Sequence, residues 1–170
     1  MGGDLKSAPA GKAATFLVAA LKHPTSGNLD RIQIIKGWLD KSGKPQERIH
    51  DVVWGDGDRR RIVNGKLAPV ANTVDVAAAT WTNTIGDPEL IAIWTDPDFD
   101  PSVHAFYYAR VLEIPTPRWT TIQAKEAGVK VSQVVPATVQ ERAWTSPIWY
   151  SPGEGKERAA AGVRVADIGT

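Results

Sequence analysis

Residues 30–36 read Asp30-Arg31-Ile32-Gln33-Ile34-Ile35-Lys36 and alternate between polar and apolar side chains over most of their length. Successive side chains of a β-strand point to opposite faces, so Ile32 and Ile34 share one face and Arg31 and Gln33 share the other. This pattern predicts a strand with one buried face.

The segment before it, Thr15-Phe16-Leu17-Val18-Ala19-Ala20-Leu21, is apolar on both faces. Alanine and leucine also favour a helix, but the run is short and has aromatic and β-branched residues at its centre, which favours a strand. The run stops at His23-Pro24, where proline cannot donate a hydrogen bond to a neighbouring strand. We expect a central strand of a sheet here.

Turn-forming residues separate these strands from others along the chain. Residues 24–28 and 40–45 are rich in Gly, Pro, Ser, Asn and Asp, which predicts a hairpin at each. Residues 55–72 are predicted to form a surface excursion with a tight turn at Asn64-Gly65, and Arg59-Arg60-Arg61 within it is predicted to be solvated. Period-two patterns bounded by turn residues predict further strands at 47–54, 73–84, 89–94, 105–114 and 141–150.

One short helix is predicted over residues 121–127, because Thr120 can cap its first turn and Gly128 can close it in the left-handed conformation. Regularly spaced strands with few helical patterns are typical of two packed sheets. The sequence therefore predicts an all-β fold, an antiparallel β-sandwich of immunoglobulin-like or jelly-roll-like type with about seven strands and one connecting helix. Residues 1–152 form this domain, and residues 153–170 are predicted to be a poorly defined tail.

Composition excludes several classes of protein. The chain has 170 residues, of which 42% are hydrophobic, enough for one globular domain. Its 20 Lys and Arg against 19 Asp and Glu give a net charge of +1, so nucleic acid is not an expected partner. The absence of cysteine excludes disulfides and thiolate metal sites. No apolar run approaches the roughly 20 residues of a membrane span, and the first residues do not resemble an export signal.

Motifs of known catalytic sites are not found in the sequence. The three histidines, His23, His50 and His104, form no ligand pair, and neither a G-x-S-x-G nor a phosphate-binding glycine motif is present. Isolated histidines of this kind are usually surface or hydrogen-bonded residues. No catalytic residue is predicted.

Alternating carboxylates suggest one metal site. In Asp96-Pro97-Asp98-Phe99-Asp100, the residues Asp96, Asp98 and Asp100 have the spacing that opens a calcium-binding loop. The later positions depart from the helix-loop-helix pattern, because Pro101 and Tyr107 stand where a glycine and a glutamate are needed. Calcium is therefore one interpretation, and the other is that Asp96 and Asp98 cap backbone amides in a proline-stiffened turn between two strands.

Aromatic residues also allow two interpretations. Tyr107, Trp119 and Trp149 are candidate interface residues if they are exposed, and exposed rings side by side would provide a stacking platform for sugars. Facing inward, the same rings would simply form the core. Alternation along 105–114 sends Phe106 and Tyr108 to one face and Tyr107 to the other.

Long stretches of the chain are similar to one bacterial family. They include Glu89-Leu90-Ile91-Ala92-Ile93-Trp94-Thr95-Asp96-Pro97-Asp98 and Ala105-Phe106-Tyr107-Tyr108-Ala109-Arg110-Val111, together with residues 1–5, 28–38, 72–76 and 140–150. On these residues the chain resembles the carboxy-terminal segment of the family called domain of unknown function 3604 (DUF3604).

The resemblance implies that the chain is part of a longer, usually exported protein. The amino-terminal portion of such proteins resembles metal-dependent hydrolases of the polymerase-and-histidinol-phosphatase type, and their clustered His and Asp have no matching positions here. A divalent metal is therefore expected only in that portion, and a periplasmic or secreted location is expected for the full-length protein. The expected partner is the catalytic domain of the same protein or another copy of this chain.

Two functions follow as expectations. The first is a non-catalytic domain that packs on and shapes the catalytic portion of a hydrolase of the phosphate or sulfate ester class. The alternative is a self-contained carbohydrate- or ligand-binding module with a calcium loop. The first expects apolar side chains to be left exposed on one face.

Overall fold

The computed structural model describes residues 2–9 and 11–153, and β-strands are its main regular element. In chain order the elements within these ranges are β1 (Gly3–Lys6), β2 (Thr15–Leu21), β3 (Leu29–Leu39), β4 (Pro45–Trp54), β5 (Ile62–Val63), β6 (Lys66–Leu67), β7 (Glu89–Thr95), β8 (Ala105–Glu113), β9 (Thr116–Pro117), α1 (Trp119–Glu126), β10 (Thr138–Val139), β11 (Arg142–Trp144) and β12 (Ile148–Ser151). Apart from Gly153, the predicted tail lies outside the described residues.

The larger layer is a six-stranded sheet in the order β1-β12-β8-β3-β4, with β11 also paired to β8. Strands β1 and β12 run parallel, and the other pairs are antiparallel. The interior strand β3, between β8 and β4, carries Ile32, Ile34 and Ile35, which are at most 2% exposed. The alternation in residues 30–36 predicted this strand correctly, but the prediction of a single buried face is wrong, because Gln33 and Ile35 on the other face are buried as well.

Strands β2 and β7 form the smaller layer as an antiparallel pair. The side chains of this pair that face the large sheet include Phe16, whose ring centroid lies 4.8 Å from that of Tyr107 on β8. Phe16, Ile34, Tyr107 and Tyr150 belong to one buried cluster between the layers, and Leu29, Ile32 and Leu90 belong to a second. Full burial of one such aliphatic side chain contributes about 1.5–3 kcal/mol. The predicted all-β sandwich is confirmed, with more strands than the seven expected.

The predicted strand over residues 73–84 is wrong. This segment consists of turns with a single bridge between Asp75 and Thr80. The Asn72 carboxamide oxygen accepts from the Val74 N–H at 2.9 Å, and an Asp75 carboxylate oxygen accepts from the Ala78 N–H at 2.9 Å. These local hydrogen bonds to side chains replace those of a sheet.

Of the two predicted hairpins, only the one at residues 40–45 is confirmed, where β3 pairs with β4. The turn at 24–28 does not join partners, because β2 pairs with β7 in the other layer. Residues 24–28 therefore connect the two layers of the sandwich. The tight turn at Asn64-Gly65 is confirmed between β5 and β6, and both residues have positive φ.

The predicted strand at 141–150 is divided into β11 and β12. Between them, the Thr145 hydroxyl accepts from the Ala109 N–H at 3.0 Å, and Pro147 has no N–H to give. The predicted cap of the helix is also wrong. Helix α1 begins at Trp119, its N-cap is Arg118 without a side-chain cap, and Gly128 closes it at φ +66° as expected. No helix of the described residues is long and apolar enough to cross a membrane.

Arg60 is buried, so the prediction of a solvated arginine run fails at this residue. Its guanidinium lies 2.7 Å from an Asp30 carboxylate oxygen and donates to the carbonyl oxygens of Ala68, Asp30 and Gly55. Asp30 is buried on β3, and a buried carboxylate requires a cation beside it. The excursion at 55–72 is therefore attached to the sheet by a charged contact.

Candidate functional site

Three polar side chains meet in the core between the large sheet and the loop that follows β7. Lys36 Nζ lies 2.6 Å from Asp96 Oδ2, and the Tyr107 hydroxyl donates to the same oxygen at 2.8 Å. Lys36 also donates to the Asp98 carbonyl oxygen at 2.8 Å. All three side chains are almost fully buried.

Strand register explains why these residues meet. Lys36 continues the inward-facing series of Ile32 and Ile34 along β3, and it lies opposite Tyr107 on β8. Asp96 follows the last residue of β7, where its N–H donates to the Ala14 carbonyl oxygen at 2.9 Å. Packing of the two layers therefore places the Asp96 carboxylate, at the end of β7, against Lys36 of β3.

Charge and proton positions in this cluster are fixed. Burial acts to raise the pKa of Asp96, but hydrogen bonds from Lys36 and Tyr107 outweigh it and hold that pKa below its usual value. Burial and the hydrogen bond to Asp96 raise the pKa of the Tyr107 phenol. At neutral pH, Asp96 is therefore ionised and Tyr107 is a neutral donor.

The candidate metal ligands are only partly brought together. His50, Asp96 and Asp98 each offer an atom, and these atoms lie within 4.8 Å of one another. The Lys36 ammonium forms an ion pair with Asp96, and the Arg48 guanidinium forms one with Asp98. The charges of both carboxylates are therefore already balanced by side chains of this protein.

Asp100, the third predicted ligand, is held separately, because its Oδ1 accepts from the Ser102 N–H at 2.8 Å and from the Ser102 hydroxyl at 2.6 Å. Asp96 Oδ1 likewise accepts from the Asp98 N–H at 3.0 Å. Asp96 therefore caps a backbone amide, as the capping interpretation expects, but Asp100 rather than Asp98 provides the second cap, because the Asp98 carboxylate pairs with Arg48. Calcium binding stays a prediction that this geometry does not favour.

His50 predicts a pH dependence of stability. Its ring centroid lies 4.8 Å from that of Trp94, and its Nε2 atom is buried without a hydrogen-bond partner among the described residues. Burial lowers the pKa of His50 below its ordinary 6.5. The negative charge of Asp96 acts to raise this pKa, and the positive charge of Arg48 acts to lower it further. The unfolded chain therefore binds a proton at higher pH than the folded chain. The free energy of unfolding should fall as the pH is lowered through 6.5.

Urea unfolding at about pH 7.5 and about pH 5.5 measures this dependence. His50→Gln should remove most of the difference between the two values, whereas the exposed His104, changed to Gln, should leave it intact. An unchanged pH dependence in His50→Gln would contradict the assignment.

The candidate interface residues have different environments. Tyr107 is 1% exposed, so its expected exposure is wrong and the ring belongs to the core. Trp119, the first residue of α1, is 64% exposed, and Trp149 on β12 is 53% exposed. An interface role for these two tryptophans stays a prediction.

Trp149 belongs to an aromatic row on the outer face of the large sheet. Its ring centroid lies 5.3 Å from that of Phe106, and the Phe106 ring is nearly parallel to that of Tyr108, with 10° between their planes. Gly37 lies opposite Phe106, and a Cβ there would lie 2.2 Å from a ring atom of Phe106. The glycine therefore leaves the space in which this ring lies across the sheet.

A polar series continues the same face across three strands. Arg110 on β8 donates to the Gln33 carboxamide oxygen at 2.6 and 2.8 Å, and Gln33 donates to Asp51 on β4 at 2.7 Å. Arg31 closes the series with a 3.3 Å contact to Asp51. The outer face of the large sheet thus combines half-buried rings with ordered hydrogen-bonding groups.

The outer face of the small layer is different, because it is apolar and bare. We call its five side chains the apolar strip: Leu17, Ala19 and Leu21 on β2, and Ile91 and Ile93 on β7. The four larger ones are 58–75% exposed, although Leu17 and Ile93 are direct cross-strand neighbours. Contiguous exposed aliphatic side chains on a sheet are typical of a surface that another chain or domain covers.

Sequence reasoning did not identify this strip as a site. The signal was present, because residues 15–21 are apolar on both faces. The prediction of a central strand there is wrong, since β2 pairs only with β7 among the described residues. Only one of those faces is covered within the part of the chain that the structure describes.

Comparisons with known proteins identify one family. The model of the family described as protein of unknown function (DUF3604) matches residues 1–152 of the 170-residue chain. Neither the curated proteins nor the solved structures contain a match. The matched residues include the whole sandwich, the buried cluster and the apolar strip.

Proposed function

We infer that this chain, which belongs to the family of proteins of unknown function DUF3604, is a non-catalytic β-sandwich domain that packs on and shapes the catalytic portion of a longer protein. The observation that carries the proposal is the apolar strip. Covering Leu17, Leu21, Ile91 and Ile93 would remove a large apolar surface from water, at about 25 cal/mol for each Å² buried.

The chemistry of the described residues supports the same role. Three of their buried polar side chains, Lys36, Asp96 and Tyr107, are paired with one another. By resemblance, the catalytic portion would be a metal-dependent hydrolase of phosphate or sulfate esters, with its divalent metal held by its own residues. The full-length protein would act in the periplasm or outside the cell.

Complex formation tests the proposal. The amino-terminal, hydrolase-like portion of a full-length family member is expressed separately, mixed with this chain, and followed by size-exclusion chromatography and calorimetry. The wild-type chain should form a 1:1 complex and should hydrolyse neither ester class alone. Ile93→Arg should weaken the complex about a hundredfold or more, because it places a charge within the covered surface.

Val134→Arg is the matched control, because Val134 is also a highly exposed aliphatic residue but lies outside the strip. Its affinity should stay close to that of the wild type. Failure of the two parts to associate would overturn the proposal, and so would an unchanged affinity in Ile93→Arg.

A second candidate, a carbohydrate-binding module, is supported by the aromatic row of Phe106, Tyr108 and Trp149. Sugars stack on exposed rings and take hydrogen bonds from neighbouring groups such as Arg110 and Gln33. Calorimetry against a panel of neutral oligosaccharides, with and without calcium, tests it. Saturable heat that is lost in Trp149→Ala would support this candidate, and the absence of heat across the panel would remove it.

A further inference from the structure

An apolar groove runs beside β2, on the side away from β7. It has a volume of about 500 Å³, and its lining includes Phe16 and Val18 from β2, and Ile34, Tyr107, Ala109 and Ile148 from the large sheet. None of its lining residues carries a formal charge. The small layer therefore covers only part of the inner face of the large sheet.

The backbone of β2 has an unpaired side that faces this groove. In the antiparallel pair, the Lys22 N–H donates to the Pro88 carbonyl oxygen and the Asp96 N–H donates to the Ala14 carbonyl oxygen, each at 2.9 Å. Even-numbered residues of β2 are thus the hydrogen-bonded partners of β7, and odd-numbered residues direct their N–H and C=O groups outward. Among the described residues, no strand other than β7 pairs with β2.

These two features together define the position of an additional strand. A strand paired to Leu17, Ala19 and Leu21 would lie about 4.8 Å from β2 and about 10 Å above the large sheet. Every second side chain of that strand would point into the groove, onto Tyr107 and Ile148. The other side chains would extend the apolar strip, since Leu17 belongs to both surfaces.

We propose that an extended, apolar segment of the catalytic portion occupies this position as the third strand of the small layer. This inference rests on the proposed function and specifies how the catalytic portion docks. Gly2 also lines the groove, so polypeptide continuing before Gly2 in a longer protein would lie at the groove itself. The uncharged lining favours an apolar segment, because a charged side chain would lose its hydration there without a partner.

Amide hydrogen exchange tests the pairing in the wild-type chain. The labelled chain is mixed with the separately expressed amino-terminal portion of a full-length family member, and exchange is followed residue by residue. Exchange of the Ala19 and Leu21 amides should slow at least tenfold in the complex, because these N–H groups gain acceptors. The Val18 and Ala20 amides, which already pair with β7, provide the internal reference.

The three outcomes separate the two proposals. Slowed exchange at Ala19 and Leu21 supports the third strand. A stable complex in which both amides exchange as in the isolated chain overturns the third strand but leaves the proposed function intact. Absence of a complex overturns both.

A proline variant tests the same contact by affinity. Ala19→Pro removes one outward N–H of β2 and should weaken the complex about tenfold, the effect of one lost hydrogen bond. Glu89→Pro is the control, because it removes an outward N–H from β7, on the opposite side of the pair. Circular dichroism verifies that both variants fold. Equal weakening by the two variants would overturn the inference.

Discussion

Asp96→Asn is expected to lower the free energy of unfolding by about 3–5 kcal/mol, because it leaves Lys36 as a buried charge without a counter-ion. The side chain of Lys36 is 7% exposed, and that of Asp96 is fully buried. Asparagine keeps the size of the side chain and its acceptor for Tyr107, so the loss reports the charge rather than the packing. Urea unfolding measures it.

Two further variants isolate the cause. Asp98→Asn removes the carboxylate paired with Arg48, but this pair is half exposed and its loss should cost about 1 kcal/mol at most. Adding Lys36→Met to Asp96→Asn should restore part of the lost stability, since no unpaired charge remains. Equal losses in Asp96→Asn and Asp98→Asn would show that the buried pair contributes no more to the free energy of unfolding than the exposed pair.

Gly86→Ala should be similarly severe, because of the backbone conformation of Gly86 and the close packing around it. Gly86 has φ +66°, and a Cβ there would lie 2.6 Å from the Leu29 carbonyl oxygen and 2.7 Å from a methyl carbon of Ile114. Strain in the left-handed region costs about 1–3 kcal/mol, and overpacking costs about 1–3 kcal/mol more. Thermal and urea unfolding of the variant measure the combined loss.

Gly65→Ala is the matched control. Gly65 also has a positive φ, +73°, but no atom lies within 4 Å of the position of its Cβ. Only conformational strain applies, so the expected loss is about 1–2 kcal/mol. If Gly86→Ala lost no more than Gly65→Ala, the close approach to Leu29 and Ile114 would not be a constraint on the fold.

Local pattern predicted the strands of the core but not their partners. The alternation at Ile32 and Ile34 is a property of neighbouring residues, so it predicted β3 directly. Lys36 continues the same inward face, and its partner Asp96 lies 60 residues further along the chain. Such a pair depends on how two layers align, which no short stretch of sequence specifies.

Polar and apolar composition also left the exposed faces undetermined. Residues 15–21 have two apolar faces, and the pattern does not say which of them the rest of the chain covers. Arg60 was predicted to be solvated because its neighbours in the sequence are charged. Its buried partner Asp30 belongs to a distant strand, so the local sequence did not indicate the ion pair. For the carboxylates from Asp96 to Asp100, the capping interpretation is correct at Asp96, whose bond to the Asp98 N–H is local, and wrong at Asp98, which pairs with Arg48 of a distant strand.

The pairing of β1 with β12 has a consequence for biosynthesis. Gly3 pairs with Ile148, and Lys6 pairs with Ser151. The first and last strands of the domain in sequence, β1 and β12, are therefore neighbours at one edge of the large sheet. Leu29 is likewise aligned with Glu113. During synthesis, β1 can pair with β12 only after nearly the entire domain has been translated. Folding should therefore be slow, because this contact joins residues that are far apart in the sequence.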